Sequence, residues 1–249
     1  MKLLAIFLLM AVARHSIYAD NLQSDITSNQ TDSIFGNKVR DALEKIRIIM
    51  KTGDESIGFP KLDPYNSDYK DININKELIN LNGKFNNCHI EGLSNFTINN
   101  ADYELTKSNV VIDLTWPNVK GNTLYDIQAM LIAKYPIFGV GNLSVELQNF
   151  NFASKIKVKI DFVKGRISML GLNDTHISLQ KLNLNITGLY NNEEMSKVLS
   201  SVISDMAPQV LIDFQEEITN RINMTVVPLA NKFLENVDIW KYVDNKQHE

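Results

Sequence analysis

The spacing of apolar positions along the chain changes once, and the change predicts its architecture. Between residues 72 and 187 the dominant step is two, the period of a strand with one buried face. Ile79, Leu81 and Phe85 alternate with polar residues, and Cys88 and Ile90 resume out of phase, which predicts a bulge near Asn86-Asn87. Val110, Ile112, Leu114 and Trp116 follow, then Tyr125, Ile127, Ala129, Leu131, Ala133 and Tyr135 as one face, then Leu143, Val145 and Leu147. Ile156, Val158, Ile160 and Phe162 stand between Lys155, Lys157, Lys159 and Asp161, an apolar-in, charged-out pattern. Ile177, Leu179, Leu182, Leu184 and Ile186 close the series with another phase change.

From residue 192 to 240 the steps become three and four, through Met195, Val198, Leu199, Val202, Ile203, Met206, Val210, Leu211, Phe214, Ile218, Ile222, Val226, Leu229, Phe233 and Val237. One helical face is therefore apolar and is expected to bury. Asn192 is a suitable N-cap, and Glu193 and Glu194 meet the positive end of the helix dipole. Pro208 and Pro228 lack a backbone donor and clash one turn back, which predicts two bends or breaks.

A second helical pattern occupies residues 32–52, with Phe35, Val39, Ala42, Leu43, Ile46, Ile49 and Met50 opposite Lys38, Arg40, Asp41, Glu44, Lys45 and Lys51. Gly53 is its expected left-handed stop. This amphipathic N-terminal helix is expected to dock on the body or to act as a lid. Residues 54–71 hold turn formers without a period and read as a loop. Long antiparallel strands with bulges make a curved sheet whose apolar face needs a partner, and the helix from Asn192 is the one partner of matching length. The expected fold is α+β: a highly curved antiparallel sheet wrapped around a long bent C-terminal helix.

Composition narrows the setting. Met1 and Lys2 precede an apolar run, residues 3–13, too short to span a bilayer, and Ile17-Tyr18-Ala19 ends in a small residue. Residues 1–19 read as a signal peptide, 20–240 as a single domain and 241–249 as a polar tail, so the mature chain is expected to be secreted, extracellular and monomeric. The net charge of -4 supplies no basic field for nucleic acid or anionic head groups. The single cysteine, Cys88, allows no intramolecular disulfide and is expected to be a small buried hydrophobe. Glycosylation sequons stand at Asn29, Asn95, Asn142, Asn173, Asn185 and Asn223, of which Asn95, Asn142 and Asn185 fall on polar sides of strands.

Catalytic chemistry is hard to find. His15 leaves with the signal peptide, His248 lies in the tail, and His89 and His176 have no partners at metal-ligand spacing. Gly92-Leu93-Ser94 stops one glycine short of a nucleophile elbow. Gly139-Val140-Gly141 resembles the front of a dinucleotide fingerprint, but Ser144 replaces the third glycine and a strand follows, so a tight turn between strands is the simpler reading. Asp113, Asp126 and Glu146 point away from the apolar face as solvated carboxylates. No enzyme, cofactor or metal site is expected.

Four segments carry a family resemblance: Phe59-Pro60-Lys61-Leu62-Asp63-Pro64, Ile90-Glu91-Gly92-Leu93-Ser94-Asn95-Phe96, the Tyr125 strand ending in Pro136-Ile137-Phe138-Gly139-Val140-Gly141, and the closing helix. In order and spacing they resemble the insect hemolymph juvenile hormone-binding and takeout proteins, which include circadian clock-controlled members. The pair of N-terminal cysteines usual in that family is missing. In this respect, and in the helix over residues 32–52, the chain is similar to the mite group 7 allergens. Both groups belong to the tubular lipid-binding superfamily, in which a curved sheet wraps a long helix. The resemblance implies a carrier or sensor of apolar small molecules such as juvenile hormone-like terpenoids and fatty acids, or a lipid binder.

A helix and a curved sheet that pack imperfectly leave an elongated apolar cavity. Its candidate walls are Val110, Ile112, Leu114, Trp116, Tyr125, Ile127, Leu131, Tyr135, Val158, Ile160, Phe162, Val202, Met206, Val210 and Phe214, all of which also suit a filled core. Tyr125 and Tyr135 offer hydroxyls to orient a ligand, and Met206 adapts to its shape. The alternative is a lipid-surface or protein-interaction module without a small-molecule pocket, making transient contact with a membrane or receptor through the helix over residues 32–52. A lipocalin-like barrel conflicts with the long C-terminal helix, and a hydrolase with the absent triad.

Overall fold

The computed structural model describes residues 28–55, 59–76, 79–131, 134–161 and 163–234. The expected signal peptide, the polar tail and Phe162 lie outside these residues.

Helix α1, Ser28–Thr52, starts four residues before the periodicity does. Its Val39, Ala42, Leu43 and Ile46 are buried, so this helix docks as part of the core. Gly53 ends it at φ 75°, with its N–H donating to Ile49 O at 2.7 Å, as expected of a left-handed stop.

Six antiparallel strands follow: β1 Tyr65–Lys76, β2 Ile79–Glu91, β3 Thr97–Glu104, β4 Asn109–Leu131, β5 Tyr135–Asp161 and β6 Arg166–Ile186. They form one curved, unclosed sheet in the order β1-β2-β4-β5-β6, with β3 paired to β4 beyond the end of β2. Strand β1 corrects the reading of residues 54–71 as a loop. Its YNSDYKDININK sequence is largely exposed at a sheet edge, and an edge strand without a clearly buried face shows no alternation. The bulge in β2 falls where expected, with the register shifting between Asn86 and His89 and Asn87 at φ 52°. Cys88 is half-buried opposite Ser67, and not the interior hydrophobe expected.

Gly139-Val140-Gly141 is not a turn. It lies inside β5, where the segment after β6 crosses it: a Cβ on Gly141 would sit 1.9 Å from Thr187 O. Tyr135 accordingly opens β5 and does not share a strand with Tyr125. The apolar set steps by three on one transverse row of the sheet, from Trp116 to Val119, Phe150 to Leu147 and Leu179 to Leu182. Asn149 occupies that row at φ 49°. The phase change legible in β6 is therefore shared by three neighbouring strands.

The C-terminal helical pattern resolves into α2, Glu193–Asp213, and α3, Gln215–Leu234. Asn192 caps α2, its side chain accepting the Met195 N–H at 2.9 Å. Neither proline breaks a helix: Pro208 and Pro228 lie inside α2 and α3, and the interruption is Phe214, at φ -105° and ψ 20°. Hydrogen bonds from Phe214 N–H to Val210 O and from Ile218 N–H to Phe214 O carry helical pairing across it.

The core lies at one end of the sheet. Val39, Leu43 and Ile46 of α1, Tyr103 of β3, Val110, Ile112 and Leu114 of β4, Ile156 and Val158 of β5, and Ala230 and Leu234 of α3 close it. Trp116 links the core to a loop by donating its indole N–H to Leu93 O at 2.8 Å, and packs between the tilted rings of Phe96 and Phe150.

Candidate functional site

The position of the C-terminal helices follows from what the free edge of β6 requires. An edge strand presents unpaired N–H groups that need acceptors. The helices supply them: Ser196 Oγ accepts Leu189 N–H, Ser200 Oγ accepts Ile186 N–H and Ser204 Oγ accepts Leu184 N–H, each at 2.9 Å. Gln215 Oε1 continues the row by accepting Ile177 N–H at 2.8 Å. Asn223 and Asn231 each clamp one backbone unit with both amide atoms, accepting the N–H and donating to the C=O of Leu172 and Met169 respectively.

This polar seam overturns the expected burial of the apolar stripe. On α2 the side turned to the strand edge is serine, and the buried residues are Ser196 and Ser200. Val198, Val202 and Met206 stand two residues beyond successive seam positions, about 200° round the helix, so they face away from that edge. They are 57%, 45% and 55% exposed, and Val210 and Phe214 are exposed with them. Polar side chains at intervals of four inside an apolar helical pattern were the available signal for this seam.

The half of the sheet remote from the core offers a matching surface. Cross-strand partners share a face. Leu81 of β2, Ala129 of β4 and Ile137 of β5 lie in register, as do Gly121, Val145 and Leu184, and Thr123, Leu143 and Ile186. Most of these positions are only half-buried, as are Phe85, Ile90, Ile127 and Leu147 on the same face. That face carries no charged residue on β2, β4, β5 or β6. Among the described side chains its charge on edge strand β1 is Lys70, opposite Phe85. The opposite face holds Lys84, Asp126, Lys120 and Glu146.

The structure divides the candidate wall residues. Val110, Ile112, Leu114 and Val158 belong to the sealed core, with Trp116 and Ile160 packed against it. Ile127 lies half-buried on the open face, Tyr135 is exposed, Val202, Met206 and Val210 form the exposed side of α2, and Phe214 is exposed at the break that follows it. The Leu131 side chain falls outside the described residues. Tyr125 is buried, and its hydroxyl donates to Thr187 O at 2.7 Å. Burial and the Glu193 carboxylate both raise its pKa, keeping that donor protonated.

Among the glycosylation candidates Asn223 is half-buried, with both its amide atoms engaged with Leu172. Asn95, Asn142, Asn173 and Asn185 are exposed, and the Asn29 side chain lies outside the described residues. Among the described residues no group of three or more His, Cys, Asp or Glu side chains is placed to hold a metal ion. His89 meets Asn66 through Nδ1 at 2.7 Å, and His176 is exposed. Glu146 titrates below its usual range through hydrogen bonds from Asn118 and Asn183, a surface arrangement on the polar face. Among the described residues no helix is long and apolar enough to cross a membrane.

The chain belongs to the haemolymph juvenile hormone binding protein family, whose model matches residues 4–244. Among curated protein sequences none matches it. The crystal structure of Takeout 1 from Epiphyas postvittana is similar at 17% identity and a TM-score of 0.53, covering 83% of this chain and 94% of that one, which shows the fold. The crystal structure of lipopolysaccharide binding protein is similar at 12% identity over 79% of this chain and 40% of that one, with a TM-score of 0.36.

Proposed function

We propose that this protein is a secreted, extracellular carrier or sensor that holds an apolar small molecule between the exposed stripe of α2 and the uncharged face of the sheet. The reading rests on one observation: Val198, Val202 and Met206 stay open to solvent because serines occupy the side of the helix that docks. Leaving such area wetted is costly at about 25 cal/mol per Å², and a bound apolar molecule would recover that free energy. Family membership supports the same ligand chemistry, a juvenile hormone-like terpenoid, a fatty acid or another lipid. The proposed activity is binding without catalysis or cofactor.

Native mass spectrometry of the purified protein, before and after lipid extraction, tests this. A co-purifying apolar molecule lost on extraction and regained on adding lipid supports the carrier. Failure to bind any terpenoid or acyl probe contradicts it.

One observation favours the second reading, a lipid-surface or protein-interaction module. On the other face of the sheet Leu124, Met130, Phe138 and Val140 are exposed, and Tyr190 packs edge-on against Phe138 at 5.2 Å. Flotation with neutral phosphatidylcholine liposomes, without a co-purifying ligand, would select this reading.

A further inference from the structure

We propose that ligand passes between α2 and the edge of β6, that α2 is a strap lifting from that edge between two pinned ends, and that Ser200 and Ser204 are positioning residues that latch it. The inference rests on the carrier reading and concerns how its site opens.

The C-terminal helices are held by different means. Helix α3 sinks Ala230 and Leu234 into the core, packs Ile218, Ile222 and Val227 against it, and grips β6 with the two-atom clamps of Asn223 and Asn231. Helix α2 has no buried apolar side chain among its described residues, and its bonds to β6 itself are the single acceptor contacts of Ser200 and Ser204. A two-atom clamp at the edge of a packed core opens only with that core. A lone hydroxyl accepting one N–H can exchange it for water, because both groups can be solvated once separated.

Both ends of α2 are fixed and both have a place to bend. Before it, the turn after β6 is locked to β5 by Tyr190 N–H to Phe138 O at 2.8 Å and by the Gly139–Leu189 bridge. Tyr190 and Asn191 there have φ of 55° and 53°, a pair of non-glycine residues in the left-handed region. After it, Phe214 interrupts the helix. Between these points Pro208 cannot donate to the carbonyl of Ser204, which loosens the helix beside the second latch. Lifting the middle of α2 would part the strap from the strand and open the side of the apolar trough. Ser196 bonds the pinned turn and would stay with it.

Amide hydrogen exchange on the unmodified protein provides the first test. The Leu184 and Ile186 amides should exchange at least about tenfold faster than those of Met169 and Leu172, and saturating N-phenyl-1-naphthylamine should slow the first pair only. The second test is stopped-flow release of that probe. The double variant S200A/S204A should release it about tenfold faster while remaining folded, and S200T/S204T, which retains the hydroxyls, should restore the slow rate. Equal exchange in the two pairs of amides, or unchanged release from a folded S200A/S204A, overturns the strap. A wild-type protein that binds no probe contradicts the carrier reading, while the exchange contrast in the ligand-free protein still decides whether α2 lifts.

Discussion

Asp63 holds Ser94 and Gly92 together: its Oδ1 accepts Gly92 N–H at 2.9 Å, and its Oδ2 accepts both Ser94 N–H at 2.8 Å and the Ser94 hydroxyl. Arg47 of α1 donates to Ser94 O at 3.2 Å and to Phe96 O at 2.6 Å, with its guanidinium over the Phe96 ring. Two of the segments that carry the family resemblance are thus one clip that fastens the N-terminal helix to the sheet.

The clip gives a pH prediction. Burial of Asp63 opposes its charge, but hydrogen bonds from the Ser94 side chain, Ser94 N–H and Gly92 N–H, aided by Lys51, outweigh it and hold the carboxyl below its ordinary value. A depressed folded-state pKa contributes stability above the unfolded value, about 3.9, that is lost as pH falls through the folded value. Asp63→Asn should therefore cost about 1–3 kcal/mol at neutral pH, and the difference from wild type should narrow below about pH 4. Urea unfolding at both pH values checks this.

The division between sealed core and open half predicts contrasting costs. Leu43→Ala should lose about 2–5 kcal/mol, because Leu43 is fully buried between α1 and the sheet. Phe214→Ala should lose less than about 1 kcal/mol, although the sequence pattern alone places Phe214 in the core. Thermal unfolding of both variants measures the contrast.

Gly141→Ala should abolish cooperative folding near physiological temperature, since the new Cβ would meet the backbone oxygen of Thr187 with no flexible side chain to yield. Val140→Ala, next to it and exposed, should leave the circular dichroism melt nearly unchanged.

Expression in a glycosylating host should modify the exposed Asn95, Asn142, Asn173 and Asn185 ahead of the half-buried Asn223. Peptide mapping with glycosidase release distinguishes them.

Much of this architecture was legible as period. The strand alternations, the bulge at Asn86-Asn87, the Asn192 cap and the Gly53 stop all follow from local chemistry, and each stands where that chemistry puts it. Two features were not legible because their cause lies across the sheet: the role of Gly141 depends on Thr187, and the exposure of Val202 and Met206 on the edge amides of β6. The break at Phe214 has no signal in its own residue type. The site suffered the same limitation. A pattern of apolar residues reads alike for a filled core and an open wall, so Val110 and Met206 entered one set although the first is sealed and the second wetted.

Lack of charge on the open face also bears on ligand choice. A methyl ester of a long-chain acid should bind at least as tightly as the ionised acid, because the cation among its described side chains, Lys70, lies on edge strand β1. Competition between ester and acid for one apolar probe at neutral pH measures this.

The central claim, that α2 presents an apolar wall to a bound molecule, is tested most directly by the affinity of N-phenyl-1-naphthylamine for Met206→Glu and Lys197→Glu. Both residues are exposed on α2, Met206 in the apolar stripe and Lys197 on the polar flank. The account predicts that Met206→Glu weakens binding by more than about tenfold with an unchanged melting temperature, while Lys197→Glu binds as wild type does. Equal affinity in wild type and both variants would contradict it.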